Sequence, residues 1–120
     1  MSHDAVRLVD YLEHITQAIE RIESYIEDLD ELEFLKNELV QDAVIRNIEV
    51  IGEASHNVTI RYPEFAASHP ELPLAFAYQM RNAVAHGYFK VDFEIVWKTI
   101  QNDLADLYLH VHNARKHLKL

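Results

Sequence analysis

The sequence predicts an all-α fold, an antiparallel helical bundle of four main helices plus short helical turns, in one domain over residues 1–120. Three observations carry this reading. Apolar residues recur at steps of three and four over long stretches, the helical period rather than the alternation of a strand. All three prolines, Pro63, Pro70 and Pro73, fall in one short segment, and there are only two glycines. Nothing reads as a repeat or a low-complexity tract, and the length suits a single continuous core.

Each element follows from its own pattern. Val9, Leu12, Ile15, Ile19, Ile22, Ile26 and Leu29 form the stripe of a first long helix, with Glu13, Glu20, Glu27 and Asp28 opposite. Between Asp28 and Asn37 the acidic density rises and the period fails, which predicts a turn or short helical link. Leu39, Ala43, Val44, Ile48, Ile51, Ala54 and Val58 mark a second long helix. Gly52 interrupts it at a cost of about 1 kcal/mol against alanine, and a glycine there permits close approach of a neighbouring helix. The prolines then bracket a loop with one helical turn near Glu64–Ala67. A third helix starts near Pro73 and runs to about His86, where Gly87 supplies a stop. Asp92 is a good N-cap for the last helix, which carries the stripe Val96, Ile100, Leu104, Leu107, Val111 and Leu118. Arg115, Lys116 and Lys119 sit at its C-terminal end, where the helix dipole favours cations.

Composition narrows the function. With no cysteines, disulfides and thiolate zinc sites are excluded. No apolar run approaches the roughly 18 residues of a membrane span, and Met1-Ser2-His3-Asp4 lacks the basic start of a signal peptide, so a cytoplasmic protein is expected. The net charge of −9 opposes a broad polyanion-binding surface. An RNA site must then be a local basic pocket, with Arg81, Arg46 and Lys90 as contributors.

The densest chemistry lies in Arg81-Asn82-Ala83-Val84-Ala85-His86-Gly87-Tyr88. A guanidinium can steady a pentacoordinate phosphate, and an imidazole can move protons near neutral pH. The adjacent phenol can donate a hydrogen bond or accept a modification. In an ideal helix, five residues turn the chain by about 500°, so Arg81 and His86 point about 140° apart. Either the helix ends at Gly87 and His86 swings, or a second copy completes the site. A twofold dimer would also supply two imidazoles, one to deprotonate a ribose 2′-OH and one to protonate the leaving oxygen. The plainer alternative is an arginine paired with a surface carboxylate and a histidine at a helix end.

The Arg-x4-His-x-Tyr word matches the signature of the HEPN ribonucleases, and its flanks, Met80-Arg81-Asn82 and Tyr88-Phe89-Lys90-Val91-Asp92, resemble the HepT branch. Residues 43–54, from Ala43 through Arg46 and Gly52-Glu53 to Ala54, resemble the second-helix word of HepT-type proteins. Residues 91–97, Val91 to Trp97, resemble the opening of their last helix. The resemblance implies the toxin of a type VII-like toxin–antitoxin pair, a homodimer or higher homo-oligomer with a composite, metal-independent endoribonuclease site and no cofactor. It assigns catalysis to Arg81 and His86, with Asn82 in support. It makes Tyr88 the residue that a cognate MntA-type nucleotidyltransferase antitoxin adenylylates. The alternative in another class is a non-catalytic HEPN partner of such a nucleotidyltransferase, which suits the acidic charge.

Other groups read more plainly. Glu53-Ala54-Ser55-His56 is a single Glu-x-x-His, whereas a di-iron bundle needs two and further glutamates. Glu53 is expected instead to brace a positive group in the core, Arg46 or the Arg81 region. His110 and His112 lie about 200° apart on a helix and cannot share an ion. Tyr62, Tyr78 and Tyr108 are expected at the core edge. The acidic residues Glu27–Glu33 are expected as a solvated end, or else as a docking patch for a basic partner.

Overall fold

The computed structural model describes residues 2–86 and 91–118, with side chains for 7–85 and 91–118. In chain order the helices are α1 (Ser2–Ile26), α2 (Glu31–Leu35), α3 (Glu38–Arg61), α4 (Pro63–Ser68), α5 (Leu74–His86) and α6 (Phe93–Lys116). No strand occurs among the described residues. Four helices are long, and α2 and α4 are the two expected short turns. No described helix is long and apolar enough to cross a membrane.

Side-chain caps set the starts of α2, α3 and α6. Asp30 and Glu33 form a reciprocal capping box: the Glu33 amide donates to Asp30 Oδ1 at 2.8 Å and the Asp30 amide to Glu33 Oε1 at 2.9 Å. Two residues of the acidic stretch therefore build the start of α2. The Asn37 side chain caps α3 by accepting from the Val40 amide at 3.0 Å. Asp92 caps α6 as expected, accepting from the Glu94 and Ile95 amides at 3.0 and 3.3 Å. Pro63 opens α4 in its first turn, whereas Pro73 stands just before α5 and its carbonyl accepts from the Ala77 amide.

α3 is the centre of the bundle, with α1 and α5 packed along it and α6 packed on α1. α2 bridges α3 and α6 through Phe34, which is fully buried and meets Phe93 and Trp97 at 6.1 and 5.3 Å between ring centres. The buried Gln41 amide donates to the Phe34 carbonyl at 3.0 Å, satisfying a backbone acceptor at the end of α2. Tyr108 donates to Glu20 Oε2 at 2.7 Å and Arg115 pairs with Glu13 at 3.0 Å, both tying α6 to α1. The bond to Glu20, then desolvation and nearby carboxylates, hold the Tyr108 phenol above its ordinary pKa.

Several stripe assignments change, among them Leu118, which lies beyond α6 and is only half-buried. Leu8, not Val9, is buried on α1. Seven residues separate Leu8 from Ile15, which aligns them within about 20°, whereas Val9 is about 120° away. Leu39 is 80% exposed, because five residues place it about 140° from Val44 on α3. Leu29 lies beyond α1, which ends at Ile26, and is only half-buried.

Among the described residues one buried side-chain group is unsatisfied. Ser55 is 0% exposed and its hydroxyl has no hydrogen-bond partner. A buried unpaired hydroxyl costs about 1–3 kcal/mol, so Ser55→Ala should leave the melting temperature unchanged or raise it by a few degrees. A clear fall in thermal unfolding would show that the hydroxyl is bonded.

Candidate active site

The site begins at a glycine. α5 lies so close to α3 that a Cβ on Gly52 would overlap the Arg81 Cβ, come within 2.8 Å of its Cγ and 2.9 Å of the Ala77 carbonyl oxygen. The close approach expected of Gly52 is therefore real, and it seats the Arg81 stem directly on α3.

From that seat Arg81 reaches two neighbours. Its Nη2 lies 3.4 Å from Glu53 Oε2, and its Nη1 donates to Asn82 Oδ1 at 2.9 Å. Glu53 does brace a cation, and that cation is Arg81 rather than Arg46. The pair is not in the core, however: the side chains are 28% and 57% exposed. One step along α3 turns a side chain about 100°, which carries Glu53 from the covered Gly52 position out to the rim. A pair this exposed is weak, so an incoming phosphate can take Arg81 over.

Arg46 stands seven residues before Glu53, on the same face and about 10 Å along the helix axis. It is exposed and has no ion pair among the described residues. Arg46, Glu53 and Arg81 line one pocket of about 280 Å³ with Tyr11 and His14 of α1 and Glu49 and Asn57 of α3. Tyr11 and His14 escaped the sequence reading. Their spacing held the clue: Arg7, Tyr11 and His14 form a polar-aromatic strip beside the buried Leu8–Leu12–Ile15 face.

The remaining predicted residues are less complete. His86 is the last residue of α5, one before Gly87 as expected, and its side chain lies outside the described ones. Tyr88 and Lys90 also lie outside the described residues. His56 stacks on Tyr78 at 4.0 Å, and its motif partner Glu53 faces Arg81. Among the described residues no three His, Asp or Glu side chains gather as a cation site.

A second, apolar groove of about 410 Å³ opens between α5 and α6, lined by Phe76, Met80, Val84, Val91, Ile95 and Val96. Phe76 and Ile95 are 41% and 61% exposed beside it. Neither arginine of the polar pocket lines this groove, whose one charged lining residue among the described residues is Asp92.

An all-α bundle presenting an arginine five residues before a helix-terminal histidine defines the class, and comparison with known proteins narrows it. The family described as "Ribonuclease HepT-like" matches residues 15–114. The chain is 40% identical over 107 residues to "Probable ribonuclease HepT" of Thermococcus cleftensis, covering 89% of this chain and 94% of that one. It is 38% identical over 97 residues to "Gamma-glutamylcyclotransferase and putative RNase MJ0434" of Methanocaldococcus jannaschii, covering 81% of this chain but 42% of that longer protein. "Putative RNase MJ1380" of the same organism is 34% identical over 97 residues, covering 81% of this chain and 83% of the other. No solved structure matches. The chain belongs to the HepT-like ribonuclease family.

Proposed function

We infer that this protein is an endoribonuclease that cuts RNA with its own side chains and the substrate's 2′-OH. The observation that carries the reading is the placement of Arg81. Gly52 seats its stem, Glu53 and Asn82 orient its fork, and its tip opens on a polar pocket five residues before His86. Relatives named as ribonucleases support the same class.

The chemistry balances without a metal. A base, assigned to His86, takes the 2′-OH proton, and the oxygen attacks the adjacent phosphorus. The bond to the 5′-oxygen breaks, that oxygen receives a proton from an acid, and a 2′,3′-cyclic phosphate remains. Arg81 neutralises the charge that builds on the phosphoryl oxygens. One imidazole cannot serve both proton transfers at once, so two copies in a homodimer or higher homo-oligomer supply the second. The exposed apolar groove between α5 and α6 supports self-association, since such patches mark interaction surfaces.

Within this reading the protein is the toxin of a type VII-like pair. The antitoxin, an MntA-type nucleotidyltransferase, moves AMP from ATP to the Tyr88 oxygen and releases pyrophosphate. The added phosphate is a negative group carried seven residues after Arg81 and two before Lys90 in the sequence, and charge-assisted hydrogen bonds to those cations would hold it. It would occupy cations that the RNA backbone needs. The net charge of −9 favours the second reading, a non-catalytic partner of that nucleotidyltransferase.

One experiment separates them. Purified chain is incubated with an RNA oligonucleotide and with the all-DNA oligonucleotide of the same sequence, before and after treatment with the nucleotidyltransferase and ATP. The expected result is cleavage of RNA alone, lost when mass spectrometry locates AMP on Tyr88. DNA cleavage, or a Tyr88-modified chain that cuts at the unmodified rate, contradicts it. No cleavage of RNA by unmodified chain favours the partner reading.

A further inference from the structure

The pocket beside Arg81 is larger than one arginine tip needs, and most of its lining has no part in the cleavage step. Arg46 is a cation without a partner among the described residues, and Glu49 is an acceptor in the same position. His14 is exposed and meets Tyr11 edge-on, with ring centres 6.3 Å apart and planes at 81°. Tyr11 is held in turn: Arg7 Nη2 donates to its hydroxyl at 2.6 Å. Arg7 also lies over the Tyr11 ring, its Cζ 5.3 Å from the centroid, so the ring open to a ligand is that of the exposed His14, with Tyr11 packed beside it. Asn57 adds an amide, its Oδ1 weakly engaged by Arg61 Nε at 3.4 Å.

Free cation, open aromatic face and unsatisfied amide or carboxylate are what an unstacked base with its phosphate requires. A volume of about 280 Å³ is at the small end of ligand pockets and suits one such unit rather than a run of strand. We propose that this pocket is a subsite for the nucleotide flanking the cut in single-stranded RNA. Arg46 holds the phosphate next to the scissile one, His14 and Tyr11 receive the base, and Glu49 and Asn57 meet its polar edge. The proposal rests on the ribonuclease reading above and names how an acidic protein grips its substrate. Two arginines on one face, Arg81 and Arg46, would engage successive phosphates while the rest of the surface repels the strand. Arg46 and His14 are positioning residues here.

The test measures binding and cleavage separately. Fluorescence anisotropy reads the affinity of the His86→Ala chain for a labelled single-stranded tetranucleotide RNA across a salt series. Adding Arg46→Ala is expected to weaken binding about tenfold and to reduce the salt slope by about 0.7, the loss of one single-strand phosphate contact. Adding His14→Ala is expected to weaken binding severalfold with the slope unchanged. Arg21→Ala, a surface arginine of α1 outside the pocket, is the charge-matched control and should stay within twofold. All three positions are exposed, and circular dichroism confirms that the variants fold.

If Arg46→Ala and His14→Ala bind like Arg21→Ala while wild-type chain cleaves RNA, the subsite is overturned and the ribonuclease reading stands. If binding depends on Arg46 and His14 while wild-type chain cleaves nothing, the pocket stands as a nucleotide-binding site, and both its place beside a cut and the catalytic reading fail. A chain that does not bind the tetranucleotide overturns the subsite outright.

Discussion

Replacing Arg81 or His86 with alanine is expected to lower RNA cleavage about a hundredfold to ten-thousandfold while leaving the bundle folded. The range is that of removing one transition-state charge stabiliser or one acid–base group. Alanine keeps the Arg81 Cβ over Gly52, and what is lost is the outer stem, a partly exposed pair with Glu53 and the bond to Asn82, which opens no core cavity. His86 is the final residue of α5, where alanine is a good helix former. Arg81→Lys is the sharper variant: it keeps the stem over Gly52 and the charge but not the planar fork, so it should remain well below wild type. Cleavage rate against thermal melting checks all three. Inactivity that tracks unfolding would return both residues to a structural role.

The second large effect is expected at Gly52. Helix propensity alone predicts that Gly52→Ala stabilises α3 by about 1 kcal/mol. Packing predicts the opposite and wins, because the new Cβ would overlap the Arg81 Cβ and lie 2.9 Å from the Ala77 carbonyl oxygen. Neither atom can rotate away, so α5 must shift as a body. Overpacking of this kind costs about 1–3 kcal/mol, and about 2 kcal/mol net destabilisation is expected, with a fall of several degrees in melting temperature. Because the same contact seats Arg81, cleavage should fall further than stability explains. A raised melting temperature with undiminished cleavage would show that α5 is free to move.

These two positions also show how far the chain could be read in advance. Gly52 was legible because a glycine inside a strong helical stripe has few uses besides close approach. The Glu53–Arg81 pair was legible as a brace, but its exposure was not. That depended on which side of Gly52 faces α5, and stripe period alone does not say. Asp92 was legible as a cap from its place before an apolar-periodic run. The errors at Val9 and Leu39 share one cause: steps of three and four tolerate a drift that only the partner helix resolves. Tyr11 and His14 were missed for a different reason. Their importance comes from α1 lying beside Arg46 and Asn57 of α3, a juxtaposition that no local pattern announces. The word Arg-x4-His-x-Tyr was legible as chemistry, while the angle between Arg81 and His86 along one helix left two ways out, a histidine swinging free at the helix end or a second copy.

In the proposed reaction, side chains and the substrate's own 2′-OH perform the cut. The most direct test is to treat a defined RNA oligonucleotide with purified, unmodified chain in excess EDTA and to determine product ends by mass spectrometry. Cleavage undiminished by the chelator is expected, with 2′,3′-cyclic phosphate on the upstream fragment and 5′-hydroxyl on the downstream one. Cleavage that stops in EDTA and returns with Mg²⁺ or Mn²⁺, or products carrying 5′-phosphate, would contradict it.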